Sequence, residues 1–303
     1  MISTYTPAPA ADFVLAFDLP GFRGRLVRLD GVSARALEAH ALPEPAARVA
    51  AETLTLAALL GSALKLDGRL TVQSKSDGAL DLAAADYYGA EDGRAAGLRG
   101  LARIDAERAK RLGAAPGFAD LAGAGSLAIT IEPRRGEQSY QGIVALSPEG
   151  MAASAETYFA QSEQLPTAIR LAAAPLYEPG KPARWRAGGI MLQATPDVPL
   201  REDDWERLQL FLKSLSDFEL IDVSLTAETL LWRLFNEDEI RVHPAEPLAF
   251  RCECDAARIA SVLRSYAAED RASLADADGV IRARCEFCGA VHAIAPDDLA
   301  ATA

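Results

Sequence analysis

The chain lacks an apolar run long enough to span a bilayer. Its longest such stretch, 54–66, is broken by Thr55, Gly61, Ser62 and Lys65, short of the roughly 18 consecutive apolar residues that a spanning helix needs. The first twenty residues hold no Lys or Arg ahead of their apolar stretch, and Asp12 and Asp18 interrupt it, unlike a secretory signal. A soluble, cytoplasmic protein with no membrane partner is expected. Positive charge is also short: 31 Lys and Arg stand against 43 Asp and Glu, a net charge of −12. Gripping nucleic-acid phosphates by counterion release calls for the opposite balance and for a basic stripe interleaved with aromatics, so no nucleic-acid partner is expected. Walker A, G-x-G-x-x-G, G-x-S-x-G and H-E-x-x-H patterns are missing, which removes the usual sequence support for nucleotide, dinucleotide and serine hydrolase chemistry. Histidine occurs only at 40, 243 and 292, and cysteine only at 252, 254, 285 and 288. Four cysteines confined to the last fifth of the chain are not the scattered framework of a disulfide-stapled protein.

What is present is ordinary globular material. The 303 residues are about twice a single-domain length, so two or three folded units are expected. Half of the residues are hydrophobic and 24% charged, which excludes wholesale disorder. After a short tail rich in Pro and Ala, Phe13, Leu15 and Phe17 alternate ahead of Pro20-Gly21, and Leu26, Val27 and Leu29 follow it, which predicts a hairpin over 12–30. Over 44–66, Val49, Leu54, Leu56, Leu59, Leu60 and Leu64 recur at three- and four-residue steps until Asp67-Gly68, which predicts a long buried helix. Short apolar runs at 70–72, 80–82, 98–104, 127–131 and 140–144, punctuated by glycine, read as one mainly antiparallel sheet. A helix over 148–162 and strands over 168–171 and 189–193 complete an α+β domain.

The composition then shifts. Between Arg201 and Ile240 eleven acidic residues stand against four basic ones. Two apolar stripes, Trp205, Leu208, Phe211, Leu212 and Leu215, then Leu230, Leu231, Leu234 and Phe235, predict amphipathic helices that must cover something to be stable. Either they present a solvated acidic face over ordinary core contacts, or they cover an apolar surface from which they can detach.

Chemistry concentrates at the C-terminus. Cys252-Glu253-Cys254 is followed, thirty residues on, by Cys285-Glu286-Phe287-Cys288-Gly289. Two close pairs suit a tetrahedral four-thiolate zinc site, each pair spanning one edge, with Zn–S near 2.3 Å. Gly289 supplies the tight turn that lets backbone amides face the sulfurs. Such a site is net negative, and Arg251, Arg258, Arg282 and Arg284 either soften its charge or are plain surface residues. The commonest use of such spacing is structural. Ionised thiolates also remain oxidisable nucleophiles, and losing a ligand forfeits the roughly 10–16 kcal/mol that zinc contributes to folding in zinc-finger peptides. Each pair can instead close as a labile disulfide in a short ring. His292 is a weak alternative ligand; four cysteines already saturate zinc, and an ordinary core or surface role is the plainer one. A thiol-disulfide oxidoreductase acting through Cys285 and Cys288 is the enzymatic alternative, but no thioredoxin-like βαβ pattern adjoins them and the other pair goes unexplained. A zinc-ribbon module for nucleic acid is opposed by the net charge.

The cysteine spacing, with the strings GRLTVQ at 68–73, YQGIV at 140–144, YFAQSEQLPT at 158–167, AGGIMLQ at 187–193, LWRLF at 231–235 and the acidic Glu237-Asp238-Glu239, resembles the bacterial heat shock protein 33 family over nearly the whole chain. These are redox-regulated holdase chaperones, also called 33 kDa chaperonins. The resemblance implies an N-terminal α+β substrate-binding domain over 1–198, a helical linker over 199–247 and a C-terminal zinc-binding redox switch over 248–303. It implies one Zn²⁺ per chain on Cys252, Cys254, Cys285 and Cys288 in the reduced state. Under peroxide with heat, or under hypochlorous acid, it implies zinc loss and redox-active disulfides joining Cys252 to Cys254 and Cys285 to Cys288. Unfolding of switch and linker, a homodimer, and ATP-independent binding of unfolded or partly unfolded client proteins would follow, with no nucleotide and no catalytic residue. Ser162, Glu163 and Gln164, beside the turn at Pro166, are expected to fix backbone geometry.

Overall fold

The computed structural model describes residues 12–64, 66–91, 93–113, 115–134, 138–177, 179–180, 183–196, 198–295 and 299; the Pro- and Ala-rich tail lies outside the described residues. Strand β1 (Phe13–Leu19) turns at Pro20-Gly21 and returns as β2 (Phe22–Leu29), with Leu19 paired to Phe22. Gly21, at φ 80°, provides the left-handed position of this two-residue loop. Helix α1 (Gly31–Glu38) follows, where sequence reading assigns no element. Its signal is remote. The Asp12 carboxylate accepts the N–H groups of Asp30, Gly31 and Val32 at 2.8, 3.1 and 2.8 Å, filling the role of a capping side chain from outside the helix.

The expected long helix is α2 (Glu44–Ala63), fourteen of whose residues are buried. A helix apolar on nearly every side belongs at the centre of a core. The strands β3 (Gly68–Ser76), β4 (Leu80–Tyr88) and β5 (Ala96–Ile104) follow it. Two short helices, α3 (Ala106–Ala109) and α4 (Phe118–Ala122), lead to β6 (Gly125–Pro133) and β7 (Tyr140–Ala145). Helix α5 (Met151–Tyr158) precedes β8 (Thr167–Leu176) and β9 (Arg184–Ala194). The acidic segment forms α6 (Glu202–Ser214), α7 (Asp217–Ile221) and α8 (Ala227–Phe235), after which β10 (Arg241–Val242) and β11 (Glu246–Phe250) return to the sheet.

The large sheet runs β7-β6-β3-β4-β5-β11-β1-β2-β9-β8, with β10 also paired to β1. Its pairings are antiparallel except β11 with β5, which are parallel. Strand alternation divides its side chains between two cores. Val14, Val27, Leu29, Leu70 and Leu98 pack with α2 in one. Leu15, Phe17, Leu19, Phe22, Leu26, Ile190 and Leu192 form the other with Leu208, Leu212, Leu215, Leu220, Leu230, Leu231 and Phe235 of the acidic helices. The architecture is α+β, and the acidic helices are a cover over one apolar sheet face.

The chain forms two compact units, Met1–Phe250 and Arg251–Ala303. The second contains α9 (Ala256–Leu263), α10 (Ala268–Leu274) and an antiparallel hairpin of β12 (Ile281–Arg284) with β13 (Val291–Ile294). Its core is small, with Ala260, Leu263, Ile281 and Ile294 buried. Among the described residues no helix is long and apolar enough to cross a membrane.

Candidate metal centre

Cys252 and Cys254 sit where the chain leaves β11 and approaches α9, whose first turn is capped by the Asp255 carboxylate accepting the Arg258 N–H at 2.7 Å. Cys285 and Cys288 occupy the connection between β12 and β13. There the Cys285 N–H donates to Ala290 O at 2.8 Å and the Gly289 N–H to Cys285 O at 2.9 Å. Gly289 has φ 71°, a left-handed conformation that a side chain would strain. The pair therefore stands in a hairpin turn, whereas reactive dithiols are commonly activated at a helix N-terminus.

The fold brings all four cysteines together. Their sulfurs lie within 4.8 Å of one another, with Cys252 to Cys285 at 3.7 Å and Cys254 to Cys288 at 3.3 Å. A tetrahedron with metal–sulfur distances near 2.3 Å has edges of about 3.8 Å, so the donor set fits one metal ion. The thiols are free, and each is partly buried. Both of these approaches run between the sequence pairs, so proximity alone does not select a disulfide pairing.

Burial and hydrogen bonds from the neighbouring thiols push the Cys254 thiol well up. Cys288 moves down: burial opposes the shift, but the Ala290 N–H and the surrounding thiols outweigh it. Cys288 is thus the sulfur that these donors favour in its ionised form.

Three of the four named arginines have contacts with neighbouring main-chain or carboxylate oxygens. Arg282 is held by Asp278, at 2.7 Å, and by Asp276, and Arg251 pairs with Glu253 at 2.6 Å. Arg258 reaches the Glu253 carbonyl at 3.3 Å. His292 lies closer to the centre than an ordinary surface role implies: its Nε2 is 3.3 Å from Cys254 Sγ. The strand register that turns it inward, opposite Ala283, is invisible in local sequence. His243 instead pairs with Asp18 at 2.6 Å, and the His40 N–H caps the end of α1 on Leu37 O. Ser162 and Glu163 belong to a wide helical turn after α5 that ends at Gln164, whose φ is 53°, while Tyr158 donates to Glu163 at 3.1 Å.

The family model described as Hsp33 protein matches residues 14–295. A 33 kDa chaperonin of Caulobacter vibrioides is 38% identical over 293 residues, covering 94% of this chain and 95% of the relative. A 33 kDa chaperonin of Escherichia coli is 36% identical over 270 residues, covering 88% and 86%. The crystal structure of a 33 kDa chaperonin from Thermotoga maritima superposes with a TM-score of 0.75 over 95% of this chain and 96% of that one; at 19% identity this likeness speaks for the fold.

Proposed function

The chain belongs to the Hsp33 family, and on that premise we propose that it is a redox-regulated, ATP-independent holdase whose switch is the four-cysteine centre. The observation that carries the reading is the convergence of four free thiols within 4.8 Å in a unit with almost no core of its own. We assign residues 1–198 to client binding, 199–247 to the linker and 248–303 to the switch. Four soft thiolates in a tetrahedral set suit zinc or iron–sulfur chemistry, and the two close pairs favour a single Zn²⁺. That ion would cross-link the segment before α9 to the β12–β13 turn and keep the sulfurs ionised.

Oxidation acts on the ligands. Two thiols and one peroxide yield one S–S bond and two waters, with two electrons passing from sulfur to peroxide. Joining Cys252 to Cys254 and Cys285 to Cys288, at about 2.05 Å per bond, removes all four donors from the metal. A unit deprived of that link unfolds, and the linker loses its ordered C-terminal neighbour. Lifting α6–α8 then uncovers Leu15, Phe17, Leu26, Ile190 and Leu192, an apolar face suited to unfolded clients and to a second copy of the chain. Free thiols fit the reduced resting state of a cytoplasmic protein.

The test is a single titration of the reduced protein with peroxide at elevated temperature. Metal release, loss of four thiols and suppression of client light scattering should rise together, and peptide mapping should find the two proposed disulfides. Client protection that is unchanged by oxidation, or a centre that purifies with iron, overturns the reading.

A further inference from the structure

Arg28 on β2 is a cation almost without solvent, 4% exposed. It shares a sheet face with Phe22 and Leu26, beneath the acidic helices. Every branch of its guanidinium reaches that cover: Nε donates to Leu220 O at 3.0 Å, Nη2 to Glu219 O at 3.1 Å, and Nη1 to Leu225 O. Among the described residues it forms no ion pair; Asp222 and Glu228 act on it only from a distance, against the cost of burial. Across the β2–β9 ladder its partner is Gly188. A Cβ on Gly188 would stand 2.5 Å from Leu220 O, so the same carbonyl that meets Arg28 also rests on bare backbone.

A buried guanidinium ordinarily takes a carboxylate. Here its donors are spent on main-chain carbonyls of residues 219–225, including those of the last turn of α7, which have no partner within the helix. We propose that Arg28 and Gly188 form the latch that seats α7 on the sheet and sets how readily the linker lifts. The proposal rests on reading 199–247 as a releasable cover. A partly lifted α7 leaves a buried cation without acceptors and several carbonyls without donors, each costly. The cover therefore stays down until it lifts far enough for water to reach the guanidinium. Arg28 is a positioning residue: it touches the linker, not the thiols.

The experiment uses the full reduced, metal-loaded chain with Arg28→Met, Arg28→Lys and Gly188→Ala, followed by hydrogen exchange and limited proteolysis. Arg28→Met should raise exchange across 216–226 by about tenfold or more, the effect of losing one strong hydrogen bond. Metal content, thiol count and exchange in β3, β4 and β6 should match the parent. Arg28→Lys should fall between the two, and Gly188→Ala should shift the same amides. Exchange at the parent rate across 216–226 overturns the latch, as does equal loosening of β3, β4 and β6, which marks a merely structural arginine. If Arg28→Met fails to fold, Gly188→Ala decides by the same criteria. A loosened α7 together with client protection that oxidation leaves unchanged keeps the latch standing and overturns the chaperone reading, so the two failures are distinguishable.

Discussion

Removing the metal from the four-cysteine centre should unfold residues 251–303 and leave the β3–β6 ladder of the first unit intact. Among the described residues of the second unit the large buried side chains are Leu263, Ile281 and Ile294. At about 1.5–3 kcal/mol each they contribute about 5–9 kcal/mol before any ordering entropy is charged. A unit of about 50 residues rarely nets more than about 3–5 kcal/mol from such a core. A structural zinc contributes about 10–16 kcal/mol, so its loss exceeds the net stability several times over. The assay is hydrogen exchange on the intact chain with a chelator and a thiol reductant, which keeps oxidation out of the comparison. Amides of the β12–β13 ladder, where Arg282 faces Ala293 and Arg284 faces Val291, should lose protection. The β3–β6 ladder, from Gly68 opposite Pro133 to Ser76 opposite Gly125, serves as the internal reference and should not change. A verified metal-free chain whose β12–β13 amides stay protected would refute the reasoning, because the unit would then stand on its own core.

Three further outcomes follow from individual residues. Phe235, fully buried between Phe17 at 5.7 Å and Phe211 at 6.3 Å, should cost about 3–5 kcal/mol when changed to Ala, read as faster exchange of α6–α8 and a lower urea midpoint. Asp86 is 3% exposed and accepts from Thr71 at 2.6 Å and Arg99 at 2.7 Å; Asp86→Asn should cost about 3–5 kcal/mol in urea unfolding, because a mostly buried Arg99 loses its counter-charge. Glu52 on α2 is pushed up to about 7 by burial and by Asp217 on α7, with Arg48 opposing. The folded state then holds a proton that the unfolded state has released, so stability is greatest below about pH 4.5 on this account and falls as pH rises through about 7. At 1.36 kcal/mol per pH unit the full loss is about 3 kcal/mol. Glu52→Gln should flatten that part of the pH profile, and an unchanged profile would show that Glu52 does not titrate there.

Features written into short stretches of chain were legible before any coordinates. The β1–β2 hairpin follows from alternation around Pro20-Gly21, and α2 from its apolar spacing between Pro45 and Asp67-Gly68. The amphipathic stripes of α6 and α8 announced helices that needed a surface to cover. What stayed hidden depends on partners distant in sequence. Helix α1 starts on the carboxylate of Asp12, and β11 joins β5 in parallel after nearly half the chain has intervened. Neither leaves a periodic trace in its own neighbourhood.

The cysteine centre shows both sides of this division. Spacing and type alone determined which four residues could share a metal, because thiolate softness and the reach of two short pairs are local properties. Only the tertiary structure decided that their sulfurs meet within 4.8 Å, that His292 faces Cys254, and that Arg28 of the first hairpin ends on the carbonyls of α7. Each of these is a contact between segments whose separation along the chain says nothing of their distance in space. Local sequence encodes which groups are available; packing of the whole chain decides which of them touch.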